Sequence, residues 1–355
     1  MKAIRIIVAD DSPICRAELR HILQQDRDIE VVGEASDGGT MLALVERYNP
    51  DLLVVDLQMP GVDGLTTVEQ VMASRPLPIL VVTSRPEGRS RDVVFEAIRR
   101  GALDLAEKPG MHDMRSQALL RAKVRQLAPI PVIRHIAARP LAPLPKAPLA
   151  GSTALPNVLS VPVVGVAASA GGPAAVVNLL KDLPKTFPAC FAVVQHLPLG
   201  FSKAFSEYLQ SRVKMTVKVA EEGSKILAGH VYVAADDRHL VVRSSKQLGI
   251  DDTPPIDGHR PAATALFMSL ARTLGKAATG IILSGIGQDG VAGLRELRAR
   301  GALTLTQDEA SCAVYGMPRA ALESGAAQRA LDPAALARAL ASALGVDPGS
   351  PGGRT

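Results

Sequence analysis

Tryptophan is absent from this chain of 355 residues, and aromatic residues of all kinds make up only 3% of it. Proteins that grip single-stranded nucleic acid stack its bases on aromatic side chains, so the composition argues against that class. No recognised nucleic-acid motif is present either. Cysteine is scarce as well. Cys15, Cys190 and Cys312 are odd in number and widely scattered, which argues against a disulfide framework or a zinc site and fits reduced core thiols in the cytosol. No apolar run is long enough to span a bilayer. The opening MKAIRIIVADD does not read as a signal peptide, because its apolar run is short and meets two acids at once. The expectation is a cytoplasmic protein with no nucleic-acid partner and no membrane insertion.

What is present suits two globular domains with full cores. The net charge of +5 is unevenly spread: residues 1–110 carry −5, residues 111–160 carry +6 and residues 161–355 carry +4. A basic segment of this kind can attract nucleic acid or an acidic protein surface.

Residues 1–127 alternate strand and helix patterns. Apolar runs at 4–9, 30–35, 52–55, 79–82 and 103–106 predict strands, with helical patterns at 13–24, 40–48, 65–74 and 91–100 between them and a basic helix at 111–127 after them. Such alternation predicts a doubly wound parallel sheet. Asp10, Asp11, Asp56, Thr83 and Lys108 all fall at the carboxyl ends of predicted strands, the edge where open α/β sheets bind ligands. Singly, each acid reads as a cap or a loop residue. As a set, three carboxylates on one edge repel unless a cation joins them, and magnesium suits hard oxygen ligands. A carboxylate beside magnesium can accept a phosphoryl group.

These residues, with Asp56 in VVDLQMPGVDG, Thr83 in VVTS and Lys108–Pro109, resemble the receiver domain of response regulators. The resemblance implies a flavodoxin-like fold. It implies Asp56 as phosphoacceptor, Mg²⁺ held by Asp10, Asp11 and Asp56, Thr83 and Lys108 responding to the phosphoryl group, and a sensor histidine kinase as phosphodonor. Leu105 stands in the fifth strand where receivers usually carry an aromatic residue.

Residues 128–157 are Pro-rich and basic and predict an extended interdomain linker. Residues 158–346 form the second predicted domain, and 347–355 a disordered tail. That domain opens on VPVVGVAASAGGP, an apolar strand that turns sharply at small residues around Ser169. A serine there is either a nucleophile at a strand-to-helix elbow or a cap for the next helix. The G-x-S-x-G pattern is incomplete, since Ala167 stands at its first glycine, and no P-loop lysine is present. Downstream, His196 follows the strand at 190–194, and Asp289 lies in SGIGQDG after the strand at 279–283. Serine, histidine and aspartate at neighbouring strand ends supply nucleophile, base and orienting acid. Glycines around Ile286 leave backbone N–H groups for an oxyanion. His230, His239 and His259 compete as the base, the first two flanking an expected hairpin between 231–233 and 240–242. Asp236, Asp237, Asp251 and Asp252 compete as the acid.

The stretches AASAGG, QHLPLGF, DGHRP, LSGIGQDG and QDEASCAVYGMP are similar to the catalytic domain of the protein-glutamate methylesterases of bacterial chemotaxis. That family places a receiver in front of an α/β catalytic domain with a mostly parallel sheet. The resemblance implies Ser169 as nucleophile, His196 as general base, Asp289 as its orienting acid and the Ile286 N–H as oxyanion donor. It also implies methyl-accepting chemoreceptors as substrates, glutamine deamidation as a second activity, and no cofactor for the esterase step. The family usually carries Met at position 286 and often Thr at position 170, where this chain has Ile and Ala. Two other readings remain: a phosphorylation-gated binding module with an inactive hydrolase-like domain, and a DNA-binding response regulator, against which the buried strands after the linker argue.

Overall fold

The computed structural model describes residues 2–59, 64–83, 90–132 and 161–346. From residue 133 onward the predicted linker lies outside these described residues, as does the whole predicted tail.

The first sheet is built from β1 (Ile4–Ala9), β2 (Ile29–Ala35), β3 (Leu52–Val55), β4 (Ile79–Thr83) and β5 (Asp104–Glu107). Between and after them run α1 (Pro13–Leu23), α2 (Gly38–Tyr48), α3 (Gly64–Ser74), α4 (Ser90–Arg99) and α5 (Met114–Leu127). All neighbours pair in parallel, in the order β2-β1-β3-β4-β5. The order reverses at β1, so the carboxyl ends of β1 and β3 flank the topological switch point. Local chemistry sets the helix starts. Ser12 caps α1 by accepting from the Cys15 N–H, and Pro13 takes the first helical position. Asp37 caps α2 in the same way and draws its start to Gly38, two residues before the position the apolar pattern suggests.

Three of the four basic residues of α5 are paired within its own unit. Arg121 bonds Asp26, Arg125 bonds Asp26 and Asp28, and Lys123 pairs with Asp104 at 2.7 Å. Helix α5 is therefore an internally paired face, whereas its sequence reads as a positive patch.

The second sheet has seven strands: β6 (Val163–Ala168), β7 (Cys190–Gln195), β8 (Thr216–Val219), β9 (His230–Val233), β12 (Ala278–Ile282), β13 (Leu303–Gln307) and β14 (Arg329–Leu331). Their order is β14-β13-β12-β6-β7-β9-β8, all parallel. A separate antiparallel ribbon joins β10 (His239–Ser244) to β11 (Gln247–Asp251). Helices α6 (Gly172–Leu180), α7 (Ser202–Gln210), α8 (Ala263–Thr273), α9 (Val291–Ala299), α10 (Met317–Glu323) and α11 (Pro333–Ala343) complete the described elements. Strands β6, β7 and β12 form the centre, with every residue of β6 and β7 buried. The order reverses at β6, which puts a second switch point beside the residue that follows it.

The expected hairpin of 231–233 with 240–242 does not form. Strand β9 lies between β7 and β8, which suits its buried apolar residues. Strand β10 turns back through Ser245 and Lys246 to pair with β11, a two-residue connection.

The described residues form two compact units. The first holds the five-stranded sheet and takes in Ser169–Ala174 and His196–Tyr208, while the second holds the remainder of the seven-stranded sheet's elements and the ribbon.

Candidate active site

In the first unit, the carboxyl edge gathers the acids foreseen from the sequence. Asp10 and Asp56 are buried and Asp11 is exposed, and carboxylate oxygens of the three lie within 4.8 Å of one another. Backbone N–H groups aim the two buried acids: Ser12 donates to Asp10 Oδ1 at 2.9 Å and Gln58 donates to Asp56 Oδ1 at 3.0 Å. The Lys108 ammonium stands 2.7 Å from Asp10 Oδ2 and 2.5 Å from Asp56 Oδ2. Apart from that ion pair, Asp10 Oδ2 has no hydrogen-bond partner. Burial disfavours the charge on Lys108, but hydrogen bonds and charge from Asp10 and Asp56 outweigh it and raise the ammonium's pKa. Thr83 ends β4, buried, and its carbonyl accepts from the Lys108 N–H at 2.9 Å. Three hard oxygen donors within 4.8 Å of one another, two of them buried, fit a small divalent cation.

The second sheet presents its own edge. Register pairs Ala168 of β6 with Gln195 of β7, so the next residues, Ser169 and His196, leave adjacent strands at matched positions. Ser169 is buried and His196 half-buried. On the other side of β6, register pairs Ile282 with Ala167, and the Leu283 N–H donates to the Ala167 carbonyl at 2.8 Å. The chain then enters the loop 284–290, which carries Ile286 and Asp289.

That loop is held by residues of the QDEASCAVYGMP stretch, to which the sequence assigns no individual role. Gln307, the last residue of β13, accepts from the Ser284 N–H at 2.9 Å, and its amide donates to the Ser311 carbonyl at 2.8 Å. Ser284 Oγ accepts from the Val314 N–H at 2.9 Å. The Gly285 carbonyl accepts from the Gly316 and Met317 N–H groups at 3.1 and 2.8 Å. A Cβ at Gly316 would stand 2.7 Å from that carbonyl, which explains glycine there. The QDEASCAVYGMP stretch thus clamps the loop.

Asp289 is buried, and both its oxygens are engaged by the start of α8. Oδ2 accepts from the Ala263 N–H at 2.6 Å. Oδ1 accepts from the Thr264 N–H at 3.0 Å and its hydroxyl at 2.8 Å. The same hydroxyl accepts from the Gly290 N–H at 2.9 Å. Gly290 has φ +87°, a conformation costly for other residues. Asp289 thereby caps α8, whose own N-cap residue, Ala262, has no side chain able to do so. The signal for this in the sequence is the absence of a capping residue before 263–274.

The competing residues fall elsewhere. His230 pairs in register with Cys190, the first residue of β7, and so sits at the opposite end of the sheet from Ser169. His239, expected beside a hairpin, is fully buried. His259 lies in a small turn, its backbone bonded both ways with Ile256. Asp237 forms a two-pronged pair with Arg260, Asp252 pairs with Arg238, and Asp251 accepts from the Thr253 N–H. Asp236 immediately precedes Asp237 in the same turn region.

Comparison with known proteins bears on both edges. The CheB methylesterase family model matches residues 164–340, and the response regulator receiver domain model matches residues 6–119. A protein of Myxococcus xanthus named protein-glutamate methylesterase/protein-glutamine glutaminase 4 is 41% identical over 346 residues, covering 96% of this chain and 97% of its own. One of Anaeromyxobacter dehalogenans with the same name, numbered 3, is 42% identical over 344 residues, covering 95% and 98%. The crystal structure of the Thermotoga maritima CheB methylesterase catalytic domain is 32% identical with a TM-score of 0.50, covering 52% of this chain and 99% of its own.

Proposed function

Since the chain belongs to the CheB methylesterase family, we propose that it hydrolyses glutamate methyl esters on chemoreceptors, releasing methanol, and deamidates glutamines at the same site. The observation that carries this is the matched exit of Ser169 and His196 from adjacent central strands, with the Asp289 loop beside them at the switch point.

In this reading His196 takes the Ser169 proton as Oγ attacks the ester carbonyl. The C–OγSer bond forms and the carbonyl electrons move to oxygen, where the Ile286 N–H donates. The tetrahedral intermediate expels methoxide, which takes the proton from His196 and leaves as methanol. Water then attacks the acyl-serine, giving its proton to His196, and collapse returns that proton to Ser169 and frees the glutamate carboxylate. With glutamine the first leaving group is ammonia. Asp289 orients the imidazole. The clamp of Ser284, Gln307 and Val314 supports the Ile286 position. No cofactor enters these steps.

The receiver, residues 1–127 in this assignment, regulates the catalytic domain, residues 158–346, through the linker 128–157. Asp56 accepts the phosphoryl group from a sensor kinase, and Thr83 and Lys108 then bind its oxygens. Asp10, Asp11 and Asp56 would hold Mg²⁺, which supplies positive charge against the carboxylates and the phosphoryl oxygens. No helix among the described residues is long and apolar enough to cross a membrane.

The test is methanol release from methylated chemoreceptor membranes, with Ser169→Ala alongside the unaltered protein and with or without acetyl phosphate. Release that needs Ser169 and rises with the donor supports both halves. Release that ignores Ser169 removes the esterase mechanism.

A further inference from the structure

His239 is the first residue of β10, it is fully buried, and the mechanism above does not use it. Its ring is engaged at both nitrogens. The Ala262 N–H donates to Nδ1 at 3.0 Å, and Nε2 lies 3.2 Å from the Pro254 carbonyl oxygen. A ring nitrogen that accepts from an N–H carries no proton of its own. The proton therefore sits on Nε2 and is donated to Pro254, which defines a single neutral tautomer.

What the ring holds is the start of α8. Ala262 immediately precedes the helix, and the next two N–H groups, of Ala263 and Thr264, are those bonded to Asp289. Three consecutive N–H groups are thus shared out between one imidazole and one carboxylate. They belong to the set that a helix start leaves without internal partners. The direction in which the first turn of α8 presents its donors fixes how the Asp289 carboxylate lies. The N–H just before that turn is held by the bond from Ala262 to His239.

We propose that His239 is a positioning residue for the hydrolysis. Through Ala262 and the first turn of α8 it sets the orientation of the Asp289 carboxylate, and hence the lone pairs left to orient the His196 imidazole. This rests on the reading of Asp289 as the acid of the triad. Loss of the Nδ1 acceptor orphans a buried N–H, and α8 relaxes to satisfy it. A carboxylate turned by that relaxation loses its hold on the imidazole tautomer, and misplacement of catalytic groups on this scale is felt in the rate.

The two contacts of the ring can be separated. In His239→Asn the amide oxygen takes the place of Nδ1 and keeps the acceptor for Ala262. In His239→Gln the amide reaches Pro254 and leaves Ala262 without its acceptor. With the full-length protein, acetyl phosphate and methylated receptor membranes, H239Q is expected to lower kcat about tenfold or more at unchanged KM, while H239N stays within about threefold. In an Asp289→Ala background the carboxylate to be oriented is gone, and H239Q should then change the residual kcat by less than about twofold. Thermal melts confirm that each variant is folded. The proposal is overturned if H239Q costs the same factor in both backgrounds, if H239N is as impaired as H239Q, or if KM moves and kcat does not. If D289A alone leaves kcat at the level of the unaltered protein, Asp289 is not the acid, and the proposal fails with that reading rather than through His239.

Discussion

Thr264 satisfies two buried groups with one hydroxyl, donating to Asp289 and accepting from the Gly290 N–H. Thr264→Val keeps the shape and removes both bonds, leaving a buried N–H orphaned. The expected cost is about 1–3 kcal/mol of stability, read as a lower midpoint in urea, together with a lower kcat; Thr264→Ser should restore most of both. Cysteine offers a second test at this scale. Burial pushes the Cys190 thiol up to about 12, and burial with the charges of Asp308 and Glu309 also raises that of Cys312. Only the thiolate is nucleophilic. Alkylation of the native protein at pH 8, mapped by mass spectrometry, should therefore spare both until denaturant is added. The expectation of core thiols holds for Cys190, which is buried, whereas Cys15 and Cys312 are half-buried. The partner of Thr264 could not be read from the sequence, since a hydrogen bond across 25 residues leaves no local pattern.

Strand-to-loop transitions were the legible elements. An apolar run that ends in small or polar residues marks the carboxyl end of a buried strand, and Ser169, His196, Asp10, Asp56 and Thr83 were all found there. Elements without a strong period are not legible: β8, β11 and β14 are short, and both β9 and β11 lie near enough in sequence to close a hairpin with β10, which pairs with β11. Helix α11 begins with Asp332 as N-cap and Pro333 at its first position, a signal the alanine-rich pattern around it obscures. The clamp from β13 to the loop 284–290 gives the test at this scale. Gln307→Leu removes the acceptor of a buried N–H at Ser284, with an expected loss of about 1–3 kcal/mol. If the loop also positions the oxyanion donor, kcat falls with little change in KM. The pairing of α5 gives a pH-dependent test. Hydrogen bonds from Arg125 hold Asp26 and Asp28 below the ordinary carboxylate value of 3.8, with Arg121 adding to the effect on Asp26. Groups with lowered folded-state pKa values stabilise above the unfolded value, and that contribution is lost as pH falls through the folded value. Arg125→Ala should therefore lower the urea midpoint at pH 7 and leave it unchanged at acid pH, where both carboxylates are protonated in either state.

Across the whole molecule, the two-sheet organisation could be read from the sequence because strand and helix periods alternate twice, on either side of a proline-rich segment. Phosphorylation of Asp56 replaces a carboxylate of one negative charge by a phosphoryl group of about 1.5 to 2, a net gain of up to about one negative charge, beside a carboxylate cluster that a single ammonium now bridges. Lys108 must then divide its bonds between Asp10 and the phosphoryl oxygens, and the pocket cannot keep its present arrangement. A ligand or a modification shifts a two-state equilibrium only by its differential interaction with the two states. A tenfold rise in kcat/KM with acetyl phosphate corresponds to about 1.4 kcal/mol of such difference. Asp56→Asn should abolish the rise while leaving the unstimulated rate intact. Lys108→Ala should permit phosphorylation, followed by acid-labile incorporation of phosphate, yet blunt the rise, because the ammonium that would follow the phosphoryl group is gone. If K108A responds to the donor as fully as the unaltered protein does, the signal leaves the pocket by another route, and the charge-bridging role assigned to Lys108 is wrong.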